Sequence, residues 1–113
     1  MRLAIIGGRD FTNYSLMTKL LENYKSKITL VVSGAKGANS LGEKWAIDNN
    51  IETLIFPADW DKFGKAAGYI RNEDIIKNCD ICVAFWDGKS KGTKHSLSLC
   101  KKYNKPTKII IYN

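Results

Sequence analysis

With 113 residues the chain sits at the small end of a single domain, which argues against two independent cores and makes residues 1–113 one folding unit. Its 44% hydrophobic and 26% charged residues are an ordinary globular composition, too apolar for a disordered chain despite a net charge of +7, and that charge favours an anionic partner such as a nucleotide or nucleic acid. No apolar run approaches the roughly 20 residues of a membrane span, and the first residues enter Ile5, Ile6 and Gly7 with no signal-peptide cleavage region, so the expected setting is the cytoplasm with no membrane partner.

Arg2 to Gly7 is a short apolar run closing on Gly7-Gly8, the pattern of a buried parallel strand that stops at a tight turn. From Ser15, the residues Leu16, Leu20, Leu21 and Tyr24 recur at helical spacing, with Asn13 or Ser15 as cap. Ile28 to Val32 is β-branched and apolar, and the segment Ser33-Gly34-Ala35-Lys36-Gly37-Ala38-Asn39 breaks it before Leu41, Trp45 and Ile47 resume helical spacing. Ile51 to Phe56 reads as a third strand ended by Pro57, which cannot donate to a ladder.

A polar segment with Trp60, Phe63, Gly64 and Gly68 leads to a helix from about Ile70 to Lys77. Ile81 to Trp86 is the most hydrophobic run and is expected to be a central strand, followed by Asp87-Gly88-Lys89-Ser90-Lys91-Gly92-Thr93, a helix to Tyr103 and a last strand from Lys108 to Tyr112. Strands alternating with helices imply right-handed βαβ crossovers. The expected fold is α/β: a Rossmann-like three-layer sandwich with a five-stranded, mainly parallel sheet.

In such sheets ligands lie beyond the carboxyl ends of the strands, and three of the four strand-to-helix loops are glycine-rich. Gly7, Gly8, Gly34, Gly37, Gly88 and Gly92 are therefore expected on one rim, where glycine lets backbone approach an anion and helix N-termini supply unpaired N–H groups. Tight turns alone are the plainer reason for any one of them. Arg9 and Arg71 are placed to reach the same rim and match phosphate bidentately. Asp10, Asp59 and Asp87 stand there as acid, base or ribose-hydroxyl acceptor, or simply as loop caps. Trp60 and Trp86 sit beside it, either stacking on a base or packing as core or lid.

Six blocks in order carry a resemblance: Gly7-Gly8-Arg9-Asp10-Phe11; Ser33-Gly34-Ala35-Lys36-Gly37-Ala38; Pro57-Ala58-Asp59-Trp60; Gly64-Lys65-Ala66-Ala67-Gly68; Ile70-Arg71-Asn72; and the stretch from Ala84 to Thr93, with Trp86, Asp87, Gly88, Ser90 and Gly92. Together they resemble the YspA/YpsA-related branch of the SLOG superfamily over nearly the whole chain. That resemblance implies a Rossmann-like fold binding nucleotides or their derivatives, kinship with the Lonely Guy phosphoribohydrolases and with DprA, and a homo-oligomer, dimer or higher. It also draws Ser33, Ala35, Asn39, Asn72, Ser90 and Thr93 into the expected ligand site.

Lonely Guy enzymes pair an arginine before the fourth strand with a glutamate after a glycine-rich loop. Arg71 matches the arginine and Gly92-Thr93 the loop's end, but Ser96, flanked by His95, stands at the glutamate position, so a carboxylate for an oxocarbenium-like centre is missing. Asn39 departs again, where relatives commonly carry aspartate.

Other patterns fail in context. Cys79-x2-Cys82-x12-His95-x4-Cys100 has zinc spacing, but Cys82 falls inside the most apolar strand, so no metal is expected and the three cysteines read as reduced thiols. Gly88-Lys89-Ser90 ends like a P-loop, yet Val83 occupies the required upstream glycine.

The expected function is binding, by sensing or sequestration, of a nucleotide or nucleotide-derived small molecule, with no other cofactor. Alternatives are a hydrolase cleaving an N-glycosidic or phosphoester bond, with Arg71, Asp87 or His95 as catalytic candidates and Asp10 also able to supply the missing carboxylate, and a single-stranded nucleic-acid binder. Because Ser96 replaces the glutamate, nucleoside monophosphates incubated with the protein are expected to release negligible free base. Steady release abolished by Arg71→Ala, followed by chromatography, is the result that would place another residue in the glutamate's role.

Overall fold

A computed structural model of the chain describes residues 1–8, 10–34 and 38–112, apart from the side chains of Ala38, Asn39, Trp60 and Lys65. Five strands, β1 (Arg2–Gly7), β2 (Leu30–Ser33), β3 (Glu52–Ile55), β4 (Ile81–Trp86) and β5 (Thr107–Ile111), form one sheet in the order β3-β2-β1-β4-β5. Every pairing is parallel, for example Leu3 with Val31 and with Ile81, so the sheet is wholly rather than mainly parallel. Among the described residues five helices accompany it: α1 (Tyr14–Leu21), α2 (Ala38–Asp48), α3 (Trp60–Phe63), α4 (Ala67–Lys77) and α5 (Lys91–Lys102).

The period of two in β1 divides the core between the sheet's faces. Leu3 and Ile5 join Phe11, Met17, Leu21, Val31, Trp45, Val83 and Phe85 under α1 and α2. Ala4 and Ile6 join Val32, Ile75, Ile76, Cys82, Ala84, Leu99 and Cys100 under α4 and α5. Two βα units that step leftward from β1 place their helices on one face, and the return to β4 and β5 places the others opposite, as right-handed crossovers require.

Several boundaries shift from the sequence pattern for identifiable reasons. Asn13, not Ser15, caps α1, its Oδ1 accepting from Leu16 N at 3.0 Å, and the helix tightens into a 3-10 turn over Glu22–Tyr24. Strand β2 starts at Leu30 rather than Ile28 because ladder pairing begins opposite Arg2, while Ile28 stays buried beneath the sheet. The segment after β3 is more helical than its polar composition implies: Asp59 accepts from Lys62 N at 3.0 Å and opens α3, a 3-10 turn follows over Gly64–Ala66, and α4 starts at Ala67 instead of Ile70. β1 lies in the middle of the sheet, and β4 is an interior strand as its apolar run implied, paired with β1 and β5.

Gly42 shows how tightly α2 meets the sheet, since a Cβ there would lie 2.9 Å from both Cβ and Cγ2 of Ile5. Those atoms sit on β1 itself and cannot swing aside as a flexible side chain would. Gly42→Val is therefore expected to lower folding stability by about 1–3 kcal/mol, the usual cost of overpacking, read as a shift in urea midpoint without a change in slope.

Candidate anion-binding rim

The strand order puts a topological switch point between β1 and β4, the place where parallel sheets open a crevice at their carboxyl edge. The loops after the first, second and fourth strands leave three adjacent strands, β2, β1 and β4, so they share one edge. At roughly 4.8 Å between neighbours, the three loop bases span about 10 Å.

After β1, Gly8 N donates to Phe85 O at 3.2 Å, extending the β1–β4 pairing by one residue, and Phe11 N returns to Gly8 O at 3.3 Å to close a turn. Phe11 is buried against Phe85, with ring centroids 4.5 Å apart, and meets the Tyr112 ring edge-on at 4.9 Å. Tyr112, just past β5, donates its hydroxyl to Asp10 Oδ1 at 2.6 Å. This pair crosses directly over Gly8, where any Cβ would run into the phenol oxygen and the carboxylate. Desolvation, then the hydrogen bond to Asp10 and the charges of Asp10 and Asp87, push the Tyr112 phenol far up, so it remains a donor. Sequence reasoning missed Tyr112 because it lies outside every glycine-rich block.

After β4, the half-buried Trp86 anchors the loop by donating its indole N–H to Ser90 O at 3.1 Å. Asp87 Oδ1 accepts from Lys89 N at 2.8 Å and Ser90 N at 2.7 Å, and these backbone donors hold its carboxyl below the usual range. Gly88 has φ of 82°, a left-handed turn that side chains disfavour. Ser90 caps α5, its Oγ accepting from Thr93 N at 3.5 Å. Thr93 and Ser96 are buried toward the sheet, whereas Gly92 is exposed and a Cβ built on it meets nothing within 4 Å.

After β2, Ser33 is buried and donates its hydroxyl to Ile5 O at 3.2 Å, and Gly34 is buried beside it. Arg71 and Asn72, in the second turn of α4, are half-buried and joined by Arg71 Nε donating to Asn72 Oδ1 at 3.1 Å. Arg9, Ala35 and Gly37, expected in the site, lie outside the described residues, as do the side chains of Asn39 and Trp60. All three rim aspartates hold structure: Asp10 the phenol of Tyr112, Asp59 the start of α3 and Asp87 the loop before α5.

His95 lies one turn into α5 and packs toward α4, its ring meeting that of Tyr69 edge-on at 4.6 Å. Cys79, Cys82 and Cys100 are free and buried, burial pushing the Cys79 thiol up to about 11. Among the described residues no three His, Cys, Asp or Glu side chains gather as a metal-binding group, and no helix is long and apolar enough to cross a membrane.

A wholly parallel sheet with helices on both faces and short capped loops at its switch point defines an α/β domain of the Rossmann-like class. The profile of the YAcAr group, described as the YspA, cpYpsA-related SLOG family, matches residues 1–63. The Gene 61 protein of Mycobacterium phage D29 is 32% identical over 115 residues, covering 93% of this chain and 92% of that protein. The chain belongs to the YspA, cpYpsA-related SLOG family. Among solved structures, DNA processing protein A (DprA) from Helicobacter pylori shares the fold, with a TM-score of 0.78 at 20% identity; the match covers 100% of this chain and 66% of that one.

The Tyr112–Asp10 bond gives a measurable consequence. Tyr112→Phe is expected to cost about 1 kcal/mol of stability by urea unfolding at neutral pH. Tyr14, which donates to Asp48 at 2.6 Å, is pushed up to about 12 by burial first and then by that bond, and Tyr112 is raised likewise. Folded phenols that ionise later than unfolded ones stabilise the protein fully below their ordinary value of 10. Stability is then expected to fall as pH rises from about 10 through 12, less steeply in Tyr112→Phe, as thermal melts across that range would record.

Proposed function

We propose that this domain binds the phosphate of a nucleotide or nucleotide-derived molecule at the rim formed by the loops after β1, β2 and β4. Gly92 carries the reading. It occupies the second position of α5, lacks the positive φ that would require glycine, and no protein atom stands where its Cβ would go. Glycine in a helix costs about 1 kcal/mol relative to alanine, so the fold gains nothing from it. A ligand approaching the first N–H groups of α5 would benefit from that bare backbone, and a helix N-terminus favours an anion.

Binding is favoured over hydrolysis because the rim aspartates are occupied in holding loops and the position of the missing glutamate is a buried serine. Arg9, Gly34, Gly37 and Arg71 complete the proposed cradle, with Trp86 beside it. A second reading, single-stranded nucleic-acid binding, is favoured by the net charge of +7 and by the fold neighbour, whose structure is reported for its mode of binding single-stranded DNA. Half-exposed Ile109 and Ile111 on the edge strand β5 support the expected homo-oligomer.

Calorimetry with the four ribonucleoside monophosphates and a twelve-nucleotide single strand tests both readings. Gly92→Ala is expected to leave stability unchanged or raise it by up to about 1 kcal/mol, yet to weaken the bound probe about tenfold. A variant that is stabilised and binds as before removes the rim reading. Affinity that grows with strand length and falls steeply with salt selects the nucleic-acid reading over the mononucleotide one.

A further inference from the structure

A pocket opens between the start of α4 and the first two turns of α5. Lys91, Lys94, His95 and Ser98 recur at i, i+3, i+4 and i+7, which places them on one stripe of α5, while Thr93, Ser96 and Leu99 are buried on the side facing the sheet. Tyr69 of α4 completes the wall of an open cavity of about 550 Å³, within the range that holds a nucleotide-sized molecule.

The chemistry of the lining is one-sided. It offers two ammonium groups, the His95 imidazole and Tyr69, a residue that is 52% exposed, while the Ser98 hydroxyl donates to His95 O at 2.6 Å and no carboxylate lines it among the described residues. Glu73, one turn along α4 from Tyr69, is already held by Lys77 at 3.3 Å and by the Tyr103 hydroxyl at 3.1 Å. His95 packs its ring edge-on against that of Tyr69 at 4.6 Å, which joins α5 to α4 along this wall.

We infer that this pocket is a second site for a nucleoside phosphate, its phosphate between Lys91 and Lys94 and its base against the ring of Tyr69. Lysine pairs bind phosphate as point charges, and an exposed aromatic face accepts any base. The site goes beyond the rim proposed above and does not depend on it, since none of the rim glycines, arginines or aspartates lines it.

The test is an amide NMR titration of the full chain with adenosine 5′-monophosphate, with inorganic phosphate and adenosine as separate probes. The monophosphate is expected to shift Tyr69, Lys94, His95 and Ser98, and the double variant Lys91→Ala with Lys94→Ala to weaken that response about tenfold or more. Tyr69→Ala should weaken monophosphate and adenosine while sparing inorganic phosphate. Gly92→Ala should leave the pocket's response in place. Both lysines and Tyr69 are exposed, so the variants are expected to fold, as their spectra will show directly. Shifts confined to Gly8, Gly34 and Gly92 would overturn the pocket while supporting the rim. A pocket response unchanged in the lysine variant, or absent altogether, would overturn it whatever the rim does.

Discussion

β1 and β4 lie side by side, yet the chains leaving them turn to opposite faces of the sheet, and the organisation of the carboxyl edge follows from that one arrangement. Two right-handed crossovers running in opposite directions cannot both cover the seam at which they part, and in sheets of this class that seam, here at the paired ends of Gly7 and Phe85, is where a crevice forms. The backbone bond from Gly8 N to Phe85 O carries the pairing to the last residue before the two chains separate. A firm floor under an open mouth is what a binding edge needs, because groups can be presented from several loops without loss of their spacing.

The loops above that floor are held by local hydrogen bonds rather than by length. Asp87 collects two backbone donors, Trp86 ties its indole to Ser90, and Ser90 caps the helix that follows. On the neighbouring loop, Tyr112 reaches from beyond β5 to hold Asp10, while its ring completes the aromatic group with Phe11 and Phe85. These contacts order backbone that would otherwise lose entropy on meeting a ligand, and preordering of this kind favours binding. They also occupy the acidic side chains, which is why the edge reads as a cradle more readily than as a hydrolytic centre.

The outer stripe of α5 has a different character. Its inward residues are fixed by the sheet, but Lys91, Lys94 and Ser98 face away from it, free of the packing that sets the rim. One helix thus presents its N-terminal backbone to the rim and its lysines to the groove beside α4. That arrangement is a direct result of α4 and α5 both starting at the carboxyl edge.

Much of this was legible in the sequence. Apolar runs of strand length alternating with helical periodicity, each punctuated by glycine or proline, gave the element order, and handedness alone put the glycine-rich ends on one edge. Boundaries slipped where tertiary contacts overrode local pattern, as at Ile28, which is buried without joining the ladder, and at Asp59, whose capping bond makes a helix of a polar stretch. What the chain by itself determined is the fold class and the edge at which the glycine-rich loops leave the sheet, because periodicity and chirality are local properties. Only the tertiary structure decided what each glycine is for. Gly88 serves a left-handed turn, Gly42 yields to Ile5, Gly8 makes room for a tyrosine whose partner aspartate is 102 positions away, and Gly92 is left bare, since each answer rests on side chains that only folding brings near.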